Sequence, residues 1–345
     1  MNQTANKIED FFKQFGIDVR VVDEIVGPVI TSYQLQQGSG VKSSQIIGLD
    51  DDLSIWLQSS ARIVISNFKI SVEIGNSIKN SVSFTTEITN KRLPLFLGQT
   101  VNGINYTFDL SKAPHLLVAG ATGQGKSVGL NVIIASLIST LDSKDLQLFL
   151  IDPKRVEFSI YRNTEWTKQW PVVTNSDEAV SKLESLCYEM EDRYNLLENA
   201  SCKDIVSYNT KFSTGILNTD NGHKHLNYIV CIIDEFADLM MTGGKRCEQS
   251  ITRIAQLARA VGIHLVIATQ RPSADVITGL IKANFPARIS FRVANSIDSR
   301  TIINESGAEK LLGCGDMLLV NGIEQVRLQS SYLSDFEIEQ IINKS

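Results

Sequence analysis

The chain has 345 residues, 43% of them apolar and 21% charged, with a formal net charge of −5 at pH 7. This length exceeds what one hydrophobic core usually supports, so two domains are expected. No window approaches the roughly 18 uninterrupted apolar residues of a membrane span, and the polar, acidic first ten residues are unlike a signal peptide. Five scattered cysteines without a C-x-x-C pair favour a reduced, cytoplasmic compartment and argue against structural zinc.

Residues 1–92 predict a small α+β domain. Apolar residues recur at helical spacing in the first turns and stop before Gly16. Segments rich in β-branched residues predict strands at 18–25, 29–36, 61–66 and 69–74. Two further segments predict helices at 43–47 and 50–59. The domain shows no nucleophile, metal cluster or phosphate loop, so we expect it to serve structure or assembly.

Residues 93–333 alternate apolar strands with long helices, which is typical of an α/β domain with a mostly parallel sheet. Strands are predicted at 115–119, 146–151, 228–233, 264–269 and 287–293. Helices are predicted at 127–141, 176–199, 245–261 and 298–303.

Three further segments complete the chain. Residues 209–224 predict an exposed polar loop, and we interpret its His223 and His225 as surface residues. Residues 318–328 predict a hairpin that turns at Asn321-Gly322. Residues 334–345 are expected to form a C-terminal tail.

The clearest chemical signal is a G-x-x-x-x-G-K-[ST] motif between an apolar strand and an apolar helix. Its glycines let backbone N–H groups surround phosphate oxygens, and the helix N-terminus adds partial positive charge. Lys126 is expected to reach the β and γ phosphates, and the Ser127 hydroxyl to ligate Mg²⁺. The residues expected to bind the nucleotide are Gly120, Ala121, Thr122, Gly123, Gln124, Gly125, Lys126, Ser127 and Val128. The sequence therefore predicts binding of a nucleoside triphosphate.

Further candidates for phosphate chemistry lie at the ends of two other predicted strands. Asp234 is expected in the Mg²⁺ shell, while Glu235 would orient and deprotonate the attacking water. Gln270 follows the 264–269 strand and is a candidate sensor of the γ-phosphate. Arg259 is either an arginine finger for a neighbouring subunit or a surface salt-bridge partner, and spacing alone leaves both open.

Positive charge is concentrated between residues 245 and 300, where nine basic residues stand against three acidic ones. This asymmetry suits a protein that touches a polyanion with one face. Ordinary solvated helix faces are the alternative, and charge alone does not decide between them.

Several long motifs resemble the FtsK/SpoIIIE family of double-stranded DNA translocases, over about residues 5–340. Matching segments follow the order of that family's motor and of its preceding domain: 27–57, 115–131 (HLLVAGATGQGKSVGLN), 151–158 (IDPKRVEF), 189–197 (EMEDRYNLL), 232–241 (IIDEFADLMM), 253–291, 297–303 (IDSRTII) and 307–318 (GAEKLLGCGDML). Ala121 and Gln124 depart from the family's usual phosphate loop at positions where the backbone cradles phosphate, so binding should persist. Ser296 stands where many members carry a lysine, which should weaken the grip on DNA.

The resemblance implies a RecA-like P-loop motor that uses ATP and Mg²⁺, assembles as a homo-hexameric ring and threads duplex DNA. It implies that Arg259 acts in trans and that Arg271, Lys282 and Arg300 contact the DNA backbone. Chromosome segregation at cell division, with division-site or recombination proteins as partners, is the process that it implies. Transfer of a conjugative or mobile element, protein secretion, and a non-catalytic module that assembles on DNA remain alternatives.

Full-length members of this family usually carry N-terminal membrane spans and a C-terminal winged-helix domain. This chain begins at the domain before the motor and stops soon after it. We therefore expect an excised motor or a short member, cytoplasmic, and associated with the inner membrane at the septum only through other parts.

Overall fold

A computed structural model describes residues 3–66 and 68–344; the predicted domain ranges also include residues 1, 2, 67 and 345, which lie outside the described residues. The N-terminal domain contains three helices and four strands: α1 (Gln3–Gln14), β1 (Val19–Val26), β2 (Ile30–Gln37), α2 (Ser43–Ile46), α3 (Asp50–Leu57), β3 (Ala61–Ser66) and β4 (Lys69–Gly75). All seven lie within two residues of the predicted elements at both ends, apart from the start of α1, for which no bound was predicted.

The four strands of this domain form an antiparallel sheet in the order β1-β2-β4-β3. Ile8, Phe11 and Phe12 are spaced so that they share one side of α1, and all three are buried. Together with Leu53 of α3 they cover the sheet and form a separate apolar core. The helix ends before Gly16, whose φ of +68° suits a residue without a Cβ.

The second domain is built on one large sheet. Its strands are β5 (Val82–Ser83), β6 (Pro94–Thr100), β7 (Asn105–Asp109), β8 (His115–Ala119), β9 (Leu146–Ile151), β10 (Tyr228–Ile233), β11 (Ile263–Thr269), β12 (Ala287–Phe291), β13 (Asp316–Asn321) and β14 (Glu324–Tyr332). Its helices are α4 (Lys126–Ile138), α5 (Ser176–Asn199), α6 (Ile205–Ser213), α7 (Phe236–Leu257), α8 (Gly279–Asn284), α9 (Ser296–Ile303) and α10 (Asp335–Lys344).

The sheet runs in the order β7-β6-β14-β13-β12-β8-β11-β10-β9, with β5 paired to the end of β14. The five strands from β12 to β9 are parallel to one another, and they are the five that the sequence predicts. The remaining pairs on this path are antiparallel. Because the carboxyl ends of parallel strands meet at one edge, residues that follow them are brought together there.

Helices cover both faces of the sheet. One core joins it to α5, α6, α7, α8 and α9, and a second core joins the other face to α4 and α10. Ile338 of α10 is buried, so the segment after residue 333 folds as a helix that packs on the large sheet. Within the described residues, no helix is both long and apolar enough to cross a bilayer.

Two predictions for residues 209–224 were wrong in part. The first part of the expected loop at 209–224, residues 209–213, belongs to α6, which Asp204 caps by accepting a hydrogen bond from the Ser207 amide at 2.8 Å. His223 is only 9% exposed, with its Nδ1 3.0 Å from the Tyr208 hydroxyl. The surface interpretation of His223 is therefore wrong, whereas His225 lies half-exposed beside Asp145.

Helix α7 begins at Phe236, earlier than the predicted start at residue 245, but it consists of two helical segments that meet at a kink at Gly244. The glycine pair Gly243-Gly244 resembles a helix break, and Gly244 is indeed non-helical, at φ 47° and ψ −125°. A Cβ on Gly243, however, would lie 2.5 Å from the side chain of Val180 in α5. The segment 236–243 was not predicted. The second segment begins at Lys245, as predicted, because the glycine pair permits both close helix packing and the break.

An ion cluster joins the two domains. Arg327 of β14 is buried, and its guanidinium donates to Glu73 of β4 at 2.5 Å and to Asp316 of β13 at 2.6 Å. Asp316 also accepts the Leu312 amide at 2.7 Å. Because removing one member leaves a buried charge without its partner, this cluster fixes the N-terminal sheet against the β13–β14 hairpin.

Candidate nucleotide-binding site

The loop between β8 and α4 has the backbone that a phosphate cradle requires. Gly123 and Gly125 have φ of +76° and +114°, a region that favours glycine. A Cβ on Gly120 would lie 2.6 Å from the Phe291 side chain, and one on Gly125 would lie 2.8 Å from the Gly315 backbone. The first N–H groups of α4 have no intrahelical acceptor and carry the positive end of the helix dipole. This loop is therefore built to hold an anion.

Lys126 and Asp234 form the buried centre of the site. The Lys126 side chain is 3% exposed, and its ammonium donates to Asp234 Oδ1 at 2.7 Å and to the Asp234 carbonyl at 2.6 Å. Asp234 follows β10, which is not the neighbour of β8, because β11 lies between them. The long lysine side chain spans that strand and links the phosphate loop to the carboxylate.

Two oxygens in this centre fit a magnesium ion. Asp234 Oδ2 is buried and has no hydrogen-bond partner among the residues that the structure describes. Ser127 donates its hydroxyl hydrogen to Glu157 Oε1 at 2.6 Å, which leaves its oxygen lone pairs for a cation. No cluster of three or more metal-ligating side chains occurs in the described ranges. Mg²⁺ in nucleotide sites typically takes one or two protein oxygens plus phosphates and waters, so Ser127 and Asp234 suffice.

Glu235 is held at the same edge by donors from two neighbouring strands. Its side chain is 2% exposed. Oε1 accepts a hydrogen bond from the Thr269 hydroxyl at 2.7 Å, and the Lys154 ammonium lies 3.3 Å from Oε2. The backbone N–H of Gln270 approaches both carboxylate oxygens, at 3.2 and 3.1 Å. A buried, oriented carboxylate beside a phosphate cradle is the arrangement expected of a general base.

Gln270 connects this carboxylate to the phosphate loop. Its side-chain oxygen accepts a hydrogen bond from the Thr122 hydroxyl at 2.8 Å, while its backbone N–H donates to the Glu235 carboxylate. The contact exists because β11, which Gln270 follows, is the direct neighbour of β8. A change at the phosphate loop therefore reaches the segment after β11 through one side chain.

Sequence reasoning missed Lys154, Glu157 and Thr269. Lys154 and Glu157 follow β9, which is paired in parallel with β10, so the same strand-end rule that marked Gln270 could have marked them. Thr269 is the last residue of β11. The missing information was the order of strands in the sheet.

A cavity of about 460 Å³ opens beside the phosphate loop, a size typical of ligand sites. The loop and Gln270 form one side, and residues 312–315 and 329–332 form another. Residues 79–82, which cross from the N-terminal domain, close the cavity together with Val29. The space for a nucleotide thus lies where the two domains meet.

Arg259 lies at the opposite edge of the sheet from this site. It precedes β11, whose far end touches Thr122 and Glu235 through Gln270 and Thr269. Seven residues of strand span about 20 Å, so Arg259 cannot reach the phosphate loop of its own chain. It is exposed, and its guanidinium makes no hydrogen bond or ion pair with any residue in the described part of the chain.

Two buried histidines near Arg259 are kept neutral. Two histidines, His115 and His264, lie buried at this edge. Burial chiefly lowers the pKa of His115 to about 3 and that of His264 to about 4, and the charge of Arg259 acts in the same direction. Both rings are neutral at pH 7, so they add no positive charge beside the exposed Arg259 guanidinium.

The candidate DNA-contacting residues occupy two places. Arg271 is exposed at the carboxyl edge, with Nη1 3.8 Å from Met241 Sδ. Lys282 lies on α8 with its ammonium 3.4 Å from the Arg300 carbonyl on α9, and partial burial and Arg288 lower its pKa. The structure brings Lys282 and Arg300 together, but not with Arg271.

The basic residues between 245 and 300 do not form a single face. Arg246 pairs with Glu184, and Arg253 pairs with Glu191. Arg288 is buried and donates to backbone carbonyls. The local excess of basic residues is therefore weaker support for a polyanion-binding face than the sequence indicated. Such a face would depend on the basic residues that remain exposed and unpaired with acids.

Comparison with known proteins decides the family. The FtsK/SpoIIIE family pattern matches residues 83–274, and the FtsK alpha domain pattern matches residues 1–76. The chain belongs to the FtsK/SpoIIIE family. It is 42% identical to a DNA translocase FtsK of Listeria monocytogenes, over 98% of this chain and 46% of the relative. A DNA translocase FtsK of Staphylococcus aureus is 43% identical, over 97% and 44%, so the chain spans less than half the length of these curated relatives.

Solved structures support the same architecture. The conjugation coupling protein TcpA, in a monomer form with ATPγS, is 28% identical with a TM-score of 0.68 over 99% of both chains. The cytoplasmic domain of the type VII secretion ATPase EccC of Thermomonospora curvata is 21% identical, with a TM-score of 0.62 over 75% of this chain and 32% of that one. The second likeness shows the fold alone. Together they confirm the expected α/β P-loop ATPase fold of this family member.

Proposed function

We propose that this chain is the motor of an ATP-driven translocase that moves double-stranded DNA through a homo-hexameric ring. The observation that carries the proposal is the buried cluster of Lys126, Asp234 and Glu235 beside a glycine cradle. Family relatives that carry the name DNA translocase support DNA as the cargo. We further propose that residues 1–92 and 93–333 act as separate functional units, with the nucleotide between them.

Nucleotide binding begins with residues 120–128. Their backbone N–H groups donate hydrogen bonds to the phosphate oxygens, and Lys126 exchanges part of its contact with Asp234 for the β and γ oxygens. Ser127 and Asp234 would hold Mg²⁺, which neutralises charge on the β and γ phosphates when bound. Glu157 keeps the Ser127 hydroxyl oriented through its 2.6 Å hydrogen bond.

Hydrolysis then needs a base and a sensor. Glu235 orients water in line with the γ-phosphate and accepts its proton. Gln270 touches both the phosphate loop and Glu235, so it is placed to report the loss of the γ-phosphate. Arg271 follows directly and would move with it, which couples hydrolysis to one of the proposed DNA contacts.

In the ring, a residue of the neighbouring subunit would complete each nucleotide-binding site. Arg259, about 20 Å from its own phosphate loop, would stabilise the transferring phosphoryl group of the neighbouring subunit. Arg271, Lys282 and Arg300 would contact the DNA backbone without reading sequence. We assign the motor to chromosome segregation at cell division, in the cytoplasm, reaching the inner membrane and division-site or recombination proteins through other parts.

Conjugative or mobile-element transfer is the second candidate process. The observation that favours it is the coverage of the conjugation coupling protein TcpA, which aligns over 99% of both chains. Protein secretion has weaker support as a function, because the secretion ATPases share 21% identity or less with this chain and show only its fold.

The test is steady-state ATP hydrolysis with and without linear duplex DNA, across a salt series. Phosphate contacts release counterions, so we expect stimulation at low salt that falls steeply as salt rises. A DNA relaxase complex or a secreted peptide, added in place of DNA, examines the alternatives. Absence of stimulation by duplex DNA at low salt would contradict DNA as the cargo.

A further inference from the structure

One loop holds two groups of the catalytic centre at once. Residues 152–158, called the β9 loop here, follow β9. Lys154 lies 3.3 Å from Glu235 Oε2, and Glu157 Oε1 accepts the Ser127 hydroxyl at 2.6 Å. Buried Asp152 anchors the loop by accepting the Phe158 amide at 3.1 Å. The loop is therefore anchored where it leaves β9, and it reaches both Glu235, the candidate general base, and Ser127, the candidate magnesium ligand.

The carboxylate of Glu235 is saturated with donors in this state. The Thr269 hydroxyl, the Gln270 amide and the Lys154 ammonium together approach both oxygens. A general base needs a lone pair directed at the water that it deprotonates. With these contacts in place and its side chain buried, Glu235 is held in position, but its oxygens are occupied by donors and are not directed at a water molecule.

Lys154 is the donor best able to leave. Thr269 is buried and the Gln270 donor is backbone, whereas the Lys154 side chain is 41% exposed. The lysine end of this pair therefore reaches solvent, although the glutamate end is buried. Arg155 and Val156, at the tip of the β9 loop, are exposed as well, so contact from outside can displace the lysine without disturbing the core.

We propose that Lys154 is a positioning residue that restrains Glu235 in the resting motor and keeps ATP hydrolysis slow until DNA engages the ring. The inference rests on the proposed function, because it assumes that Glu235 activates water for ATP hydrolysis. It adds a regulatory contact to that function and assigns it to the β9 loop. Release of the ammonium frees Glu235 Oε2 for the attacking water.

The test compares Lys154→Met with wild type, because methionine keeps an unbranched apolar stem and removes the charge. Loss of one charge-assisted hydrogen bond should raise turnover without DNA by about three- to tenfold. The DNA-stimulated rate should change little, so the stimulation ratio falls. Equilibrium binding of a fluorescent ATP analogue should be unchanged, since Lys154 contacts Glu235 and not the phosphate loop.

Two matched variants complete the experiment. Lys154→Arg keeps a donor to the carboxylate and should preserve the wild-type ratio. Lys144→Met removes a lysine whose side chain is 74% exposed and pairs with exposed Asp142; it should have no effect. This pair separates the specific contact from a general loss of positive charge.

The possible failures are distinguishable. Unchanged or lower basal turnover in Lys154→Met, with turnover abolished in Glu235→Gln, overturns the inference and leaves the proposed function standing. Weaker nucleotide binding in Lys154→Met also overturns it, because the lysine would then contact the nucleotide itself. A wild-type chain that hydrolyses no ATP with or without DNA overturns the proposed function and this inference with it.

Discussion

Glu235→Gln is expected to lower ATP turnover at least about 100-fold while sparing ATP binding. The amide has nearly the same shape, and its oxygen can still accept the Thr269 hydroxyl and the Gln270 amide that hold the carboxylate now. It has no basic lone pair, however, and cannot take the proton from water. Phosphate release measures turnover, and titration with a fluorescent ATP analogue measures binding.

Glu248→Gln is the matched control for this substitution. Glu248 also accepts a threonine hydroxyl, from Thr278 at 2.6 Å, but it lies on α7 away from the phosphate loop. Its replacement should change turnover by less than about twofold, as for a position outside such a site. Turnover of Glu235→Gln within a few fold of wild type would mean that another group activates the water.

The second large effect is expected at Arg259. An arginine finger contributes about 1,000-fold or more to phosphoryl transfer, so Arg259→Ala should leave little turnover. The residue lies about 20 Å from its own phosphate loop, and the loss should therefore be repairable in trans. A mixture of Arg259→Ala and Glu235→Gln subunits should regain activity, because about a quarter of randomly formed head-to-tail interfaces carry both intact residues.

Arg253→Ala, on α7 just before the turn that carries Arg259, serves as the control for loss of a nearby charge. Arg253 is exposed and paired with Glu191 at 2.8 Å, a contact of little energetic weight. We expect near wild-type turnover from this variant. A mixture of the two inactive variants that stays inactive, with ring assembly shown by sedimentation, would contradict a role for Arg259 in trans.

The sequence predicts well those features that depend on short-range pattern. The phosphate loop needs glycines at fixed spacing, and buried parallel strands need continuous apolar runs. Gly120 to Ser127 and the five central strands are therefore found from composition and order alone. Asp234 and Glu235 follow because polar residues at the end of such a strand must face a functional edge.

Features that depend on long-range order were out of reach. Lys154 meets Glu235 only because β9 lies beside β10 in the sheet, which no single strand reveals. Local charge counts likewise miss Glu184 and Glu191, which lie about sixty residues upstream of the arginines that they pair with. The close approach of Gly243 to the side chain of Val180 in α5 is likewise invisible from local spacing.

The most direct test of the central claim is ATP-driven displacement of a third DNA strand from a linear duplex. A motor that moves along duplex DNA must strip the bound strand in its path, at a rate that depends on ATP. We expect displacement by the wild-type chain, none by Glu235→Gln, and none without ATP. Duplex-stimulated ATP hydrolysis without any displacement would contradict translocation and leave a DNA-dependent ATPase that does not move its cargo.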